Sequence, residues 1–502
     1  MLSLASRSIA FFSSGVSTRC FDTRYISISA AAAHSPSGSY YSPTISSLAP
    51  RPSVLSSLCA IRGGSNRNDF SSGIQTDELP HFSLPLNLEE RRTDISAAIM
   101  SVFAACKVTR HLQPTSSNNI ETISKQDASP VTVGDFASQA LALQILHHYF
   151  PYDMFIAEEG SEALQKEDGL LSKVWEAVNH VQSNTFDRKE QLLSTIDYGQ
   201  GIDVERNQQS TGNRRRVWCL DPIDGTKGFL RGRVEGGQFC VALALLEDGE
   251  PVVSILGCPN LPLQCTQATS AIPYGLWSEQ EVQESLKQKT MFSTMRGSMF
   301  LAVRGCGCYE IPLHQIEIYL LGDEKFCGQQ STESTSITWT PLHVTPNDGS
   351  SKILAQAKFC LGVEREFSDP RGTVLKIASL IHGPNAILID NSGKQDIINS
   401  LRMDGQGKYG LLARGDAEYF LRLPKDGYLD FVWDVAAGFL VLKEAGGQLT
   451  DLHGDSIDFS EIGVGRRSKL PDSVKGILGS CGGVFHRALV DAYEQVDHKV
   501  TR

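Results

Sequence analysis

The sequence predicts a layered α/β fold, an α+β sandwich of helices and mixed sheets. Apolar runs of strand length alternate along the chain with stretches of helical length and period. Several strand-like runs are joined by short turn signals, which favours mixed layers over a purely parallel sheet. At 502 residues and 41% hydrophobic content, the chain can build one large domain or two medium ones with a substantial core.

Residues 1 to about 75 stand apart. Before Asp69 the basic residues are Arg7, Arg19, Arg24, Arg51, Arg62 and Arg67, the only acid is Asp22, and serine and alanine dominate. Such a segment has the composition of an organelle transit peptide, with a structureless tail as the plainer alternative. Arg7 among Leu2, Leu4, Ile9 and Phe11 points to the mitochondrion, with the chloroplast as the alternative.

A helix is expected from Leu86 to about Leu112, with Ile95, Ile99, Val102, Phe103 and Ala105 inward. Phe136 to Tyr149 reads as a second helix, with Leu141, Ile145 and Leu146 on one face. Phe155 to Ala157 is a short strand running into Glu158-Glu159. Gly160 to Arg216 lacks clean periodicity, and its triplet Arg214-Arg215-Arg216 reads as a solvated loop. Val217 to Leu220 is a strand of buried type. Gln238 to Leu246 and Pro251 to Leu256 are strands joined by Glu247-Asp248-Gly249-Glu250, a hairpin signal. Between Leu263 and Asn347 only Met299 to Val303 stands out as a strand.

A second block begins near Lys352. Ile353 to Val363 and Ala386 to Asp390 read as strands with a helix from Gly372 to His382 between them. Tyr409 to Ala413 and Tyr419 to Leu423 read as a hairpin around Gly415-Asp416. Trp433-Asp434 opens an apolar helix that Gly446-Gly447 stops. The expected organisation is therefore 1–75, an N-terminal α+β domain over 86–345 with insertions near 160–216 and 263–345, and a C-terminal α/β domain over 346–495.

Composition narrows the function. A net charge of −11 argues against a nucleic-acid surface, which needs clustered Lys and Arg. No uninterrupted run of about 18 apolar residues predicts a membrane span. The 12 cysteines include no pair of CxxC units at zinc spacing, so buried reduced thiols are expected. Nothing in the sequence sets an oligomeric state.

The sharpest chemical signal is Asp221-Pro222-Ile223-Asp224-Gly225-Thr226. An apolar strand runs into proline, which fixes φ and removes a donor, so the strand must end there. Two carboxylates, the Ile223 carbonyl and a hydroxyl are thus gathered at a rigid strand end, a set of hard oxygen donors that suits magnesium. Asp-Pro and Asp-Gly-Thr also occur as ordinary turn and cap chemistry. Glu158-Glu159 sits at another strand end, and Asp434 at a helix start where it also suits an N-cap. Three such acidic sites are what a two- or three-metal phosphatase needs, with metal to activate water and neutralise the leaving oxygen.

Asp221-Pro-Ile-Asp224-Gly-Thr226, together with Trp433-Asp434 and the following Gly446-Gly447, resembles the double signature of the inositol monophosphatase superfamily. Lys125, Asp127, Pro130 and Asp135 in one motif, Gly225 to Gly232, Gly257-Cys-Pro-Asn260 and Tyr419 to Pro424 resemble the 3′(2′),5′-bisphosphate nucleotidases within it. The resemblance covers most of residues 86–495. It implies an αβαβα sandwich and a phosphatase using two or three Mg2+ ions. Its substrate would be a small bisphosphorylated nucleotide, 3′-phosphoadenosine 5′-phosphate, and the sulfated form of that nucleotide is a further candidate. It also implies inhibition by lithium.

By that resemblance Glu158, Asp221, Asp224, Asp434 and the Ile223 carbonyl match metal ligands, with Glu159 behind them. Asp135 and Thr226 match the pair that orients and deprotonates water. Lys408 and Arg422 match groups that hold the second phosphate, with Gly225 and Phe367 also at the substrate. Two departures touch substrate choice: Gly405 stands where relatives often carry serine, and Arg365-Glu-Phe367-Ser-Asp replaces a histidine-rich stretch. They leave open the same chemistry on an inositol phosphate or sugar bisphosphate. A non-catalytic nucleotide-binding descendant is the reading from another class.

Overall fold

The computed structural model describes residues 79–115, 123–124, 130–201, 214–263, 274–285, 290–321, 336–346, 351–363, 372–389, 393, 395–425, 427–464 and 467–500. Residues 68–502 form one compact unit. The proposed transit segment, the Lys125–Ser129 part of the first motif and the Arg365–Asp369 stretch with Phe367 lie outside the described residues.

Two sheets carry the fold. The first has seven strands in chain order: β1 (Met154–Ala157), β2 (Arg216–Asp224), β3 (Cys240–Glu247), β4 (Glu250–Pro262), β5 (Arg296–Val303), β6 (Gly307–Pro312) and β7 (Thr340–Leu342). Only β1 and β2 run parallel; every later pair is antiparallel. The second sheet has the order β9-β8-β10-β12-β11, from β8 (Phe359–Leu361), β9 (Ser400–Arg402), β10 (Tyr419–Arg422), β11 (Gln448–Thr450) and β12 (Ile477–Ser480). The principal helices are α1 (Arg92–Leu112), α2 (Val133–Tyr149), α3 (Asp168–Val181), α4 (Thr226–Arg231), α5 (Thr373–His382), α6 (Gly407–Ala413), α7 (Ala436–Glu444) and α8 (Gly483–Val500).

Side-chain parity along the strands sorts these elements into five layers, because alternate residues of a strand face opposite sides of its sheet. In β3, Val241, Leu243 and Leu245 pack with α1 and α2, while Cys240, Ala242, Ala244 and Leu246 pack with α6 and α7. In the second sheet, Cys360 and Phe420 join that same inner core, while Phe359, Tyr419 and Leu421 pack with α5 and α8. The order is helix, sheet, helix, sheet, helix, the αβαβα sandwich that the resemblance implied. α1 with its preceding turn is long and apolar enough to cross a membrane, yet it is the buried core helix of the first layer.

Several elements differ from the sequence expectation. Tyr409 to Ala413 is helical, not a strand, so it forms no hairpin with β10. Every residue of that stretch is buried, and a helix apolar all round shows no period. Among the described residues, Gly160 to Arg216 holds three helices, Glu162–Lys166, α3 and Lys189–Asp197. Ile353 to Val363 divides into a helix, Ser351–Gln356, and β8. Ile387–Ile389 pairs with Gln395–Ile397 in a separate two-stranded ribbon. The eight described cysteines are all free thiols.

A candidate metal-dependent active site

The site lies where β1 and β2 end. Their parallel register pairs Ala157 with Leu220, and one more step sets Glu158 beside Asp221. Between Asp221 and Asp224 the β2–β3 register shifts, with Asp221 opposite Ala242 and Asp224 opposite Cys240. This irregularity at Pro222 bends the strand and re-aims its carboxylates. Ser138 Oγ on α2 donates to the Pro222 carbonyl at 2.9 Å, and Ile223 N donates to Asp221 Oδ1 at 3.1 Å.

Each remaining group is held by an identifiable contact. Gln139 Nε2 donates to the Glu159 carbonyl at 2.6 Å and its Oε1 accepts from Glu159 N at 2.9 Å, which fixes the Glu158-Glu159 backbone to α2. Thr132 caps α2 in a capping box: Asp135 Oδ2 accepts from Thr132 N at 2.9 Å and from its hydroxyl at 2.5 Å. Gly134, next to Asp135, lies directly against the Ile223 and Phe229 side chains. The turn carrying Asp135 thus faces the turn carrying Thr226, whose hydroxyl donates to the Ile223 carbonyl at 3.3 Å.

Gly225 is left-handed, at φ +95°, which suits glycine alone among ordinary residues. A Cβ there would meet Gly405 N at 2.9 Å, and a Cβ on Gly405, itself at φ +73°, would meet the Asp224 carbonyl oxygen at 2.4 Å. The two glycines let the Asp224–Thr226 turn and the chain leading into α6 touch backbone to backbone.

Asp434 lies in the turn Val432–Asp434 before α7, and its Oδ2 accepts from Phe431 N at 3.0 Å. Metal-ligand and cap readings thus meet in one residue. Arg422, at the end of β10, pairs with Asp430 at 2.6 Å and reaches Asp434 at 3.6 Å. Lys408 Nζ donates to the Gly405 carbonyl at 2.8 Å. The two cations predicted to hold a second phosphate therefore stand beside the acidic centre, and both pull down the Asp224 carboxyl that burial otherwise raises.

The electrostatics bind the carboxylates into one group. Burial pushes Asp221 well up, and Glu158, Asp224 and Asp434 push it further. Burial, Asp430, Asp224 and Glu158 raise Asp434 to about 7 against the opposing pull of Arg422. Among the described residues no three carboxylate, imidazole or thiolate groups close on one centre; what these acids share is a field. Four carboxylates that hold one another up in this way fit a hard divalent cation, which takes oxygen ligands and relieves such repulsion.

Sequence reasoning missed three residues at the site. Asp430, 1% exposed, anchors Arg422. Gln406 holds the start of α6 against α7, donating to the Trp433 carbonyl at 2.7 Å and accepting from Gly438 N at 3.1 Å, and its side chain helps to pull the Asp224 carboxyl down. Asp404 holds Arg231 of α4 at 2.6 Å. The adjacency of Asp404 and Gln406 to Gly405 and Lys408 was the only available signal.

The inositol monophosphatase family model matches residues 90–478. A 3′(2′),5′-bisphosphate nucleotidase of Emericella nidulans is 35% identical over 343 residues, covering 68% of this chain and 82% of that protein. One of Schizosaccharomyces pombe is 33% identical over 379 residues, covering 73% and 84%, and one of Oryza sativa is 33% identical over 348 residues, covering 67% and 78%. Among solved structures, an inositol monophosphatase from Anabaena aligns over 81% of this chain and 97% of its own at 16% identity, with a TM-score of 0.41. The chain belongs to the inositol monophosphatase family.

Proposed function

We propose that this chain is a magnesium-dependent 3′(2′),5′-bisphosphate nucleotidase that hydrolyses the 3′-phosphate of 3′-phosphoadenosine 5′-phosphate. The observation that carries the reading is one electrostatic group made of Glu158, Asp221, Asp224 and Asp434, with Lys408 and Arg422 acting on the same carboxylate. The activity named for three relatives at 33–35% identity supports the substrate class.

Glu158, Asp221, Asp224, Asp434 and the Ile223 carbonyl would hold magnesium, which supplies Lewis acidity for the scissile phosphate and for a water nucleophile. Thr226 orients the attacking water, and Asp135 takes its proton at the carboxylate. Lys408 and Arg422 bind the second phosphate; the Arg fork matches an oxyanion while Lys acts as a point charge. Asp430 keeps Arg422 from collapsing onto Asp434. Glu159 fixes the strand-end backbone through Gln139. Phe367 offers an aromatic face to a purine.

Residues 1–75 act, in this proposal, as a mitochondrial presequence. A fusion of that segment to a fluorescent protein should co-localise with mitochondria; accumulation in plastids or cytosol would sink the assignment. Lithium should inhibit at concentrations where sodium does not, by competing at a magnesium position.

The decisive experiment offers 3′-phosphoadenosine 5′-phosphate and inositol 1-phosphate side by side to the protein with magnesium, and to Asp221→Asn. Phosphate release from the nucleotide, lost in the variant, is expected. Release from inositol phosphate alone would overturn the substrate, and release from neither would overturn the enzymatic reading.

A further inference from the structure

We propose that the C-terminal end of α1 carries a second anion site, built by Arg110, Arg233 and Trp277, that takes free hydrogen phosphate. None of its residues belongs to the metal-binding group.

The argument begins from charge. This is an acidic chain, with 57 Asp and Glu against 46 Lys and Arg, and among the described residues the other buried arginines are paired. Arg216 holds Asp94, Asp153 and Glu247; Arg296 holds Glu281; Arg402 holds Asp396; Arg414 holds Glu310 and Asp416. Arg110 is only 6% exposed, and its Nη1 has no hydrogen-bond partner. Among the described residues it makes no ion pair; its one described contact is its guanidinium 5.1 Å from the Trp277 ring centre. Half-buried Arg233 also lacks an acid, donating from Nη2 to Thr115 Oγ1 at 3.2 Å. A buried, unpaired cation is costly, and a second one nearby raises the cost. Burial first, then Arg233 and Arg296, draw Arg110 down to about 9, so it is still charged at neutral pH while its surroundings favour any anion.

Trp277 adds donor capacity. It is 8% exposed, Arg296 lies 4.8 Å from its ring centre, and its Nε1–H has no partner. Two unpartnered donors, Arg110 Nη1–H and Trp277 Nε1–H, thus belong to one cluster. Two unpartnered acceptors, Gln238 Oε1 and Asn260 Oδ1, belong to residues linked to Trp277 through Arg296, which donates to the Asn260 carbonyl that Gln238 Nε2 also donates to. Asn260 is tied to α1 by donating to Gln113 Oε1 at 2.7 Å, and its carbonyl accepts from Arg296. Hydrogen phosphate offers acceptors to the arginines and the indole and an O–H to an amide acceptor. Sulfate offers only acceptors, and the amide oxygens would repel it.

The position is separate from the catalytic turn but mechanically joined to it. Helix α4 starts at Thr226 and ends at Arg231, a span of about 9 Å at 1.5 Å per residue. Just beyond it, Arg233 N and Val234 N donate to the carbonyls of Pro114 and Thr115, which follow α1.

The test uses the full chain, freed of metal with a chelator so that the catalytic site does not capture phosphate. Inorganic phosphate, sulfate and chloride are titrated at matched ionic strength, reading Tm and tryptophan fluorescence. Phosphate should raise Tm by a few degrees and change the emission saturably, with sulfate weaker. Arg110→Met should weaken phosphate binding at least about tenfold, and Trp277→Phe, which removes the indole N–H, should lose the spectral change and reduce the Tm shift. Because Arg110 is buried, Arg233→Met on the half-exposed partner serves as a second variant and should also weaken binding. Phosphate acting no more strongly than chloride, or unchanged in both arginine variants, would overturn the site. Equal binding of sulfate would overturn the phosphate assignment.

Discussion

At the scale of single residues, the chain's departures from simple expectation have physical reasons. At Gly405 a φ of +73° and the contact with the Asp224 carbonyl leave no room for a side chain. Gly405→Ala should push the Asp224 turn away from its partners. Displacements of about 1 Å at reacting groups cost on the order of 100-fold in rate, so kcat/KM should fall by about that much with circular dichroism intact. An unchanged kcat/KM would show that the turn yields freely. Arg216 teaches the opposite lesson. Read as one of three solvated arginines, it is the first residue of β2 and donates to Asp94 at 2.7 Å, to Glu247 at 2.7 Å and to both Asp153 oxygens. Arg216→Met should cost roughly 3 kcal/mol or more, because buried Asp153 is left without a cation and Asp94 and Glu247 each lose one of theirs; denaturant melts measure it. The sequence could not show this, since Asp94 and Asp153 are 122 and 63 residues away. Asp221 and Asp224 were legible because their chemistry is local to one strand end.

At the scale of elements, the outer end of the β2–β3 strand pair joins stability to pH. Glu247 closes β3 and lies against Arg91, Arg216 and Arg214. The Arg91 hydrogen bond, more than offsetting burial, holds its carboxyl below the ordinary carboxylate range. A carboxyl depressed in the folded state stabilises it above the unfolded pKa, about 4.3, and that contribution disappears as pH falls through the folded value. Glu247→Gln should therefore melt below the parent protein at pH 7, with the gap closing below about pH 4. A gap that persisted in acid would mean that packing, not charge, sets the difference. Long apolar elements bounded by turn and cap signals, such as α1 and the strands of the first hairpin, could be read from the sequence although nearly all their residues are buried. Buried α6, with Tyr409, Leu411 and Leu412 all inside, gave no period to read. The site was legible to the extent that strand ends were: Gln406 and Asp430 act from loops whose roles exist only once β2, β10 and α7 are assembled.

At the scale of the whole molecule, the two sheets fall on either side of the expected boundary at 345/346, since β7 ends at Leu342 and β8 begins at Phe359. Their packing is nonetheless continuous. Ala242, Leu256 and Phe300 of the first sheet share one core with Cys360, Phe420 and Ile477 of the second, through Tyr409 of α6 and Leu440 of α7. The acidic site has the same property: Glu158, Asp221 and Asp224 come from the first part, and Asp434, Arg422 and Lys408 from the second. Neither part can bury its inner sheet face alone, and exposing that face would cost about 25 cal/mol per Å2 of apolar surface. The protein without residues 1–75 should therefore unfold in a single calorimetric transition, with calorimetric and van't Hoff enthalpies in agreement. Residues 86–345 produced alone should be aggregated or molten, and should bind the dye ANS. Two resolved transitions, or a soluble and cooperatively folding 86–345 fragment, would show instead that the shared layer is a docked interface between independent domains. In that case the catalytic group would form only on docking, and activity would be lost at the temperature of the lower transition rather than at global unfolding.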